Sequence, residues 1–360
     1  MSTRAAQLLD EIRRGHAIRD VAIESTRLDG HDWSGGVFER VRFIGVSMQR
    51  VRLGEAVFSE CLFRDVDMRH ADLSRCTFDK CRLERVDLSE SELHECMMHS
   101  THAAGANFSG ARASGFHCVK SDIGECRFDG ARIESSVFSD TRLARADFTR
   151  AVVRKAVFYQ LDLTSAVLAD ATFDDAVFAE ANLAGQRLRG QRMHRCQFVG
   201  ADLRDVDFTG ASLACCNFQR SRLAGARLDD ADAPDTVFFE ADAAGAMCRR
   251  AALRGSIWVQ ADARRADFTG SALDGAVFQR ATCTGARFSR TNLEGVDFSY
   301  ADLTEAVFDE AGFARTAFHG ATAPDIAWRD HPGAVACDPE LSAAQAWSRQ
   351  RDEQGRREDH

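Results

Sequence analysis

The chain of 360 residues has very little proline and almost no lysine. Of its four prolines (Pro234, Pro324, Pro332, Pro339) only one lies before residue 324. Ordinary connecting loops draw more heavily on proline, which presets φ at turns. Lysine is confined to Lys80, Lys120 and Lys155, so the basic charge is almost all guanidinium. Tyrosine is limited to 2 residues against 25 phenylalanines. No apolar run approaches the roughly 18 to 20 residues of a membrane helix. The opening stretch carries Asp10 and Glu11 and lacks an apolar segment, so no secretory leader is visible and a cytoplasmic location is expected. There is no CxxC, no HExxH and no phosphate-cradling glycine loop. The expectation is a protein without catalytic residues, cofactor or metal, and without a membrane span. Net charge is −9 and 45% of residues are hydrophobic, an ordinary balance for a soluble chain.

What is present is a period of five. Between Ile23 and Trp328, positions numbered with a final 3 or 8 are nearly all apolar, and 23 of the 25 phenylalanines sit there; Phe116 and Phe239 are the exceptions. Two residues earlier the side chains are small, mostly Ala, Cys, Val, Ser or Thr. Two residues later lie 19 of the 26 glycines. A helix would repeat near 3.6 and a flat strand at 2. Five residues with two inward positions two apart fit a short extended piece and a tight turn, with glycine relieving the corner. Leu favours centres ending in 3 and Phe those ending in 8, so the number of sides is even. The track 38, 58, 78 and onward to 318 holds twelve phenylalanines in fifteen positions, and the track offset by ten only seven. Two tracks that differ are two sides, so a coil has four sides and twenty residues.

Stretches such as Ala201-Asp202-Leu203-Arg204-Asp205, Thr291-Asn292-Leu293-Glu294-Gly295 and Ala301-Asp302-Leu303 resemble the pentapeptide repeat family, A(D/N)LxX. The resemblance covers about residues 21–328 and implies an all-β fold, a right-handed quadrilateral β-helix; the hand comes from the family alone. About fifteen coils spaced about 4.8 Å apart would extend on the order of 70 Å. Open ends need caps. Residues 1–20 are assigned to an N-terminal cap with a helix over 3–14, where Ala5, Leu8, Leu9 and Ile12 share a side and Gly15 is the stop. Residues 329–360 are assigned to a C-terminal helix starting at Asp338-Pro339-Glu340, with Leu341, Ala344 and Trp347 on one side, and a disordered tail over 350–360.

Seven of the twelve cysteines (Cys61, Cys76, Cys81, Cys96, Cys126, Cys196, Cys216) fall in the small inward slot, and Cys118, Cys248 and Cys283 at centres. They read as buried, reduced packing residues, with Cys215 and Cys337 exposed. His94, His99, His102 and His117 fall within little more than one coil, beside the thin centres Ala103, Ala113 and Cys118. They read as exposed histidines beside a narrowed core, with metal binding the rival reading. A second thin stretch, Ala233, Ala243, Cys248 and Ala263, is a candidate bend or shallow groove.

The four sides differ in charge. Three carry 23, 25 and 22 charged residues, and the side with the phenylalanine track only 12. The outer residue before each centre on that side is apolar in ten of fifteen coils, Val137, Val157, Val177, Val237, Ile257 and Val277 among them. Tyr159, Phe239 and Val259 add to it. A long apolar stripe usually marks an interaction surface, although β-branched residues also suit any flat extended face. The expected function is a non-catalytic protein-binding scaffold, its occupant a partner protein or a second copy in a homodimer. The resemblance also implies a place beside secretion machineries such as type VI systems, and, as the alternative, imitation of duplex DNA toward DNA gyrase or topoisomerase IV. The repeats carry 37 basic and 45 acidic residues, far fewer net charges than the roughly 40 of a duplex of that length. No basic stripe appears, so direct nucleic-acid binding is not expected.

Overall fold

The computed structural model of the chain describes residues 3–323, 331–340 and 342–348. It divides into two compact units, Met1–Asn217 and Phe218–His360. Each is a parallel β-solenoid in which residue i lies beside residue i+20. Phe38, Phe58 and Phe78 are register partners on successive rungs of the first unit. Val237, Ile257 and Val277 are such partners in the second.

Five residues make a side because two of them must point inward and one must turn. Ala56 and Phe58 are both fully buried. The small residue opening a side donates its N–H to the carbonyl of the preceding centre, as Ala56 does to Leu53 (2.8 Å) and Ala276 to Leu273 (2.8 Å). Such a turn requires positive φ at its second central residue. From Asp20 to Gly320 every fifth residue has it, Ser165 excepted. The sequence signals this only where glycine occurs; most corners are charged, such as Lys80 (φ 53) and Arg85 (φ 54). A left-handed L-residue costs about 1–2 kcal/mol. Part of that is offset by ion pairs from corner to corner, such as Asp65–Arg85 (2.6 Å) in the first unit and Asp230–Arg250 (2.7 Å) in the second.

The Asp of the repeat has its own task. Asp87 Oδ1 accepts the Ser89 N–H (3.0 Å) and hydroxyl (2.6 Å), and Asp267 Oδ1 likewise accepts the Thr269 N–H (3.0 Å) and hydroxyl (2.5 Å). A short polar side chain bonding to the backbone two residues on fixes the approach to the corner.

The sides are not equally regular. In the first unit an eight-stranded parallel sheet runs along the phenylalanine side from Ile18–Arg19 to Val157–Tyr159. A four-stranded sheet (Ala22–Glu24 to Arg82–Glu84) and a five-stranded one (Arg112–Ser114 to Arg192–His194) lie on two others. Elsewhere the rungs meet through single bridges.

Inside, like stacks on like. Phe38, Phe58 and Phe78 stack at 4.8 and 4.9 Å, and Phe138, Phe158, Phe178 and Phe198 at 5.0 to 5.2 Å. Where Met98 and Cys118 interrupt the column, Phe116 is fully buried in the small slot and meets Phe138 edge-on at 5.9 Å. The thin stretch of the second unit is filled in the same way. Trp258 stacks on Phe238 at 3.9 Å and on Phe278 at 5.5 Å, with its indole N–H donated to Ser256 Oγ (2.8 Å). A missing large centre is thus compensated by a large neighbour, as close packing demands.

The two ends are built differently. Helix α1, Thr3–Arg13, half-buries Leu8, Leu9 and Ile12, and left-handed Gly15 (φ 74) follows it. In the second unit Thr316–Ala317 pairs with Ala334–Val335, which the five-residue register does not announce. Residues 339–340 and 342–348 are helical, but Ala344 and Trp347, expected on a side packed against the coils, are exposed, Trp347 at 59%. The side chain of Leu341, the centre at Trp328 and the tail over 350–360 lie outside the described residues.

The first unit contains one irregular stretch. Leu161, Gln186 and Gln191 occupy slots that elsewhere hold small side chains. Gln186 Nε2 donates to Ala166 O (2.8 Å) and Leu163 O (2.6 Å); Gln191 Nε2 donates to Leu168 O (2.9 Å) and to Ala171 O. In neighbouring coils the carbonyls equivalent to those of Ala166 and Ala171 accept the next rung's N–H, as Gln186 O and Gln191 O do from Asp207 and Ser212. Here the Gln186 and Gln191 amides donate to those carbonyls, and Ser165 Oγ accepts the Arg145 N–H (3.2 Å) in the same region.

Candidate interaction face

The outer residues of the phenylalanine side fall into separate apolar rows, one in each unit. In the first, Val137, Val157 and Val177 are register partners on consecutive rungs, and Tyr159 lies beside Ser139 with 40% of its surface exposed. The three valines are half-buried by one another. Strand geometry aims them outward because the centres beside them, Phe138, Phe158 and Phe178, point in. Gln197 and Asn217 end the row with an amide contact of 3.1 Å. Val57 and Met97 are exposed on the same sheet, 37% and 43%, separated by Thr77.

In the second unit Val237, Ile257 and Val277 form the row, with Ile257 exposed at 37%, and Phe239 and Val259 half-buried beside it. Asp297 closes it. Of the nine residues expected on one face, the structure places Val137, Val157, Tyr159 and Val177 in one unit, and Val237, Phe239, Ile257, Val259 and Val277 in the other.

A feature the sequence reading missed adjoins the second row. The returning segment over 334–340 stands beside Val259 and Tyr300 and leaves an open cleft of about 1040 Å³. The Arg280 guanidinium lies 5.9 Å from the Tyr300 ring centre, and the Gln345 amide donates to Tyr300 Oη. His319, 6% exposed, accepts the Asp338 N–H at Nδ1 (3.3 Å). Pro332-Gly333 (φ 91 at Gly333) was the available signal for a chain reversal.

The histidines do not converge. His99 contacts Asp79 (2.8 Å), His102 contacts Asp122 (3.4 Å) and His94 contacts Glu95 (3.5 Å), each on its own rung or the one beside it. Among the described residues no three His, Cys, Asp or Glu side chains are placed to share an ion. Ten cysteines are buried, and Cys215 and Cys337 are exposed. Burial pushes the thiols of Cys76, Cys118 and Cys126 up to about 12. Among the described residues no helix is long and apolar enough to cross a membrane.

The family model for pentapeptide repeats matches residues 125–160, 141–178, 171–210, 246–282 and 286–322. A model for the SV2A/B/C luminal domain matches residues 16–102. No curated protein matches the chain. Among solved structures, QnrB1, a plasmid-mediated fluoroquinolone resistance protein, is 19% identical over 55% of this chain and 91% of its own, with a TM-score of 0.39. HetL, a pentapeptide repeat protein involved in heterocyst differentiation regulation in the cyanobacterium Nostoc sp. strain PCC 7120, is 18% identical over 89% and 97%, with a TM-score of 0.17. A pentapeptide repeat protein of the Arabidopsis thaliana thylakoid lumen is 28% identical over 31% and 66%, with a TM-score of 0.20.

Proposed function

This chain is a pentapeptide repeat protein, and on that premise we propose that it is a non-catalytic scaffold that binds a protein through the apolar rows of its phenylalanine side. The observation that carries the reading is the contrast between sides of equal construction. The other three sides carry nearly twice as many charges, so strand propensity alone does not account for Val137, Val157 and Val177. Among the described residues the interior is filled with side chains and offers no substrate chamber.

Duplex imitation is the weaker reading on the same evidence. The Asp residues a mimic would present are turned to the chain's own backbone, as at Asp87 and Asp267, or to its own arginines, as at Asp67 and Asp202.

The test compares wild type with the Val157→Glu, Val177→Glu variant. Circular dichroism and melting should be nearly unchanged, because both side chains stand outside the core. Sedimentation and affinity capture should lose any self-association or partner seen with wild type. Retention of the same complexes by the variant would refute the proposal.

A further inference from the structure

The five-stranded sheet of the first unit carries a cleft on a different side from the apolar row. It opens to about 410 Å³ over Val152–Arg154, Thr172–Asp174 and Arg192–His194. Thr172 and Arg192 are register partners, and directly inside them Gln191 fills a slot made for alanine and takes the Ala171 carbonyl with its amide. The cleft therefore lies over rungs whose small inward slot holds a glutamine that donates to the backbone.

The rim carries two arginines and a histidine beside one acid. Arg154 and Arg192 form no ion pair among the described residues, whereas nearby Arg142, Arg145, Arg150 and Arg195 each hold a carboxylate. Asp174 is the acid in the cleft, and Arg195 Nη2 already donates to it (2.6 Å). Glu134 and Asp174 lie one rung to either side of Arg154 as its register partners, neither within ion-pair distance of it. His194 Nε2 contacts Ser212 Oγ (2.8 Å), and the Thr172 hydroxyl stands on the same rim. The floor is apolar, formed by Val152, 38% exposed, and the edge of Phe173. Two unpaired guanidiniums offer several fixed N–H donors, and with an imidazole and hydroxyls they suit a dianion with three oxygens better than a carboxylate with two.

We propose that this cleft binds a phosphate monoester, its phosphoryl group held by Arg154 and Arg192 and its organic substituent lying on Val152 and Phe173. The experiment titrates the full chain at low ionic strength with inorganic phosphate, phenyl phosphate and benzoate, followed by calorimetry. Phenyl phosphate should bind one to one, more tightly than either of the others. The Arg154→Gln, Arg192→Gln variant should bind it at least about tenfold more weakly. A control, Arg42→Gln, Arg50→Gln, removes two arginines from other positions and should bind like wild type. Four results would overturn the proposal: no saturable binding, inorganic phosphate or benzoate binding as well as phenyl phosphate, undiminished binding by the double variant, or an equal loss in the control. Both target side chains are exposed, so the variant should keep the melting profile of wild type. The outcome is independent of the scaffold reading, which concerns another side.

Discussion

Asp67 shows how much of the surface charge is committed to the fold. It accepts from Arg69 (N 3.1 Å, Nε 2.9 Å, Nη2 2.7 Å) and from Gln49 (2.7 Å). The hydrogen bonds from Arg69, foremost, hold its carboxyl down to about 2. Asp29, Asp32 and Asp302 are lowered as well, Asp32 and Asp302 chiefly by Ser34 and Thr304, and Asp29 by Ser47 and Gln49 against its burial. A carboxyl depressed in the folded state contributes stability that is full above its unfolded value, about 3.9, and is lost as pH falls through the folded one. Denaturant midpoints should therefore hold down to about pH 4 and fall steeply toward pH 2. In Asp67→Asn the midpoint at pH 7 should be lower and part of that acid slope should vanish. Glycines separate two other residue-scale effects. A Cβ on Gly36 would lie 2.7 Å from the Phe38 ring, whereas one on Gly245 meets nothing within 4 Å but sits at φ +68. Gly245→Ala should cost about 1 kcal/mol through the backbone alone. Gly36→Ala should cost more, about 1–3 kcal/mol, through overpacking; thermal unfolding of the pair checks the order.

At the scale of the element, the five-residue side was legible because each slot repeats a size: small, outward, large, outward, corner. Phe116 in a small slot beside Ala103 and Ala113 was likewise readable as displaced volume. The left-handed corners were legible where glycine marks them but not at Lys80 or Arg85, which carry no sign of positive φ. The Gln186 and Gln191 wedges were also hidden, since a glutamine in the small slot looks like an isolated exception until its amide is seen on Ala166 O or Ala171 O. The strand Ala334–Val335 falls outside the period, so the cleft beside Tyr300 could not be placed. Gln191→Leu keeps the bulk and removes the donor. It should lower stability by about 0.5–1.5 kcal/mol, the net worth of a lost hydrogen bond, measurable as a shifted denaturant midpoint. The apolar rows themselves were visible by composition, because the outward position before a centre elsewhere often holds an Asp that bonds the backbone, as at Asp87, and a run of valines departs from that.

For the whole molecule, the thiols give a direct count of what is interior. Burial raises Cys76, Cys118 and Cys126 to about 12, where almost no thiolate exists at neutral pH. Cys215 and Cys337 alone are exposed. A thiol-specific disulfide reagent should therefore titrate 2 groups quickly in the native protein and all 12 after denaturation. Fast reaction of more than two would mean that coils open readily.

Pairing of each residue with the one twenty positions on sets a grammar for insertion and loss. Within the first unit, excision of residues 61–80 would bring Phe58 beside Met98 and leave every later side facing as before. Excision of five would turn every later side by a quarter, setting phenylalanine columns on leucine columns and valine rows among charges. Lineages of such chains should therefore differ in length by whole multiples of twenty far more often than by five, ten or fifteen, as a text stays legible when a complete line is struck out but not when a single word is.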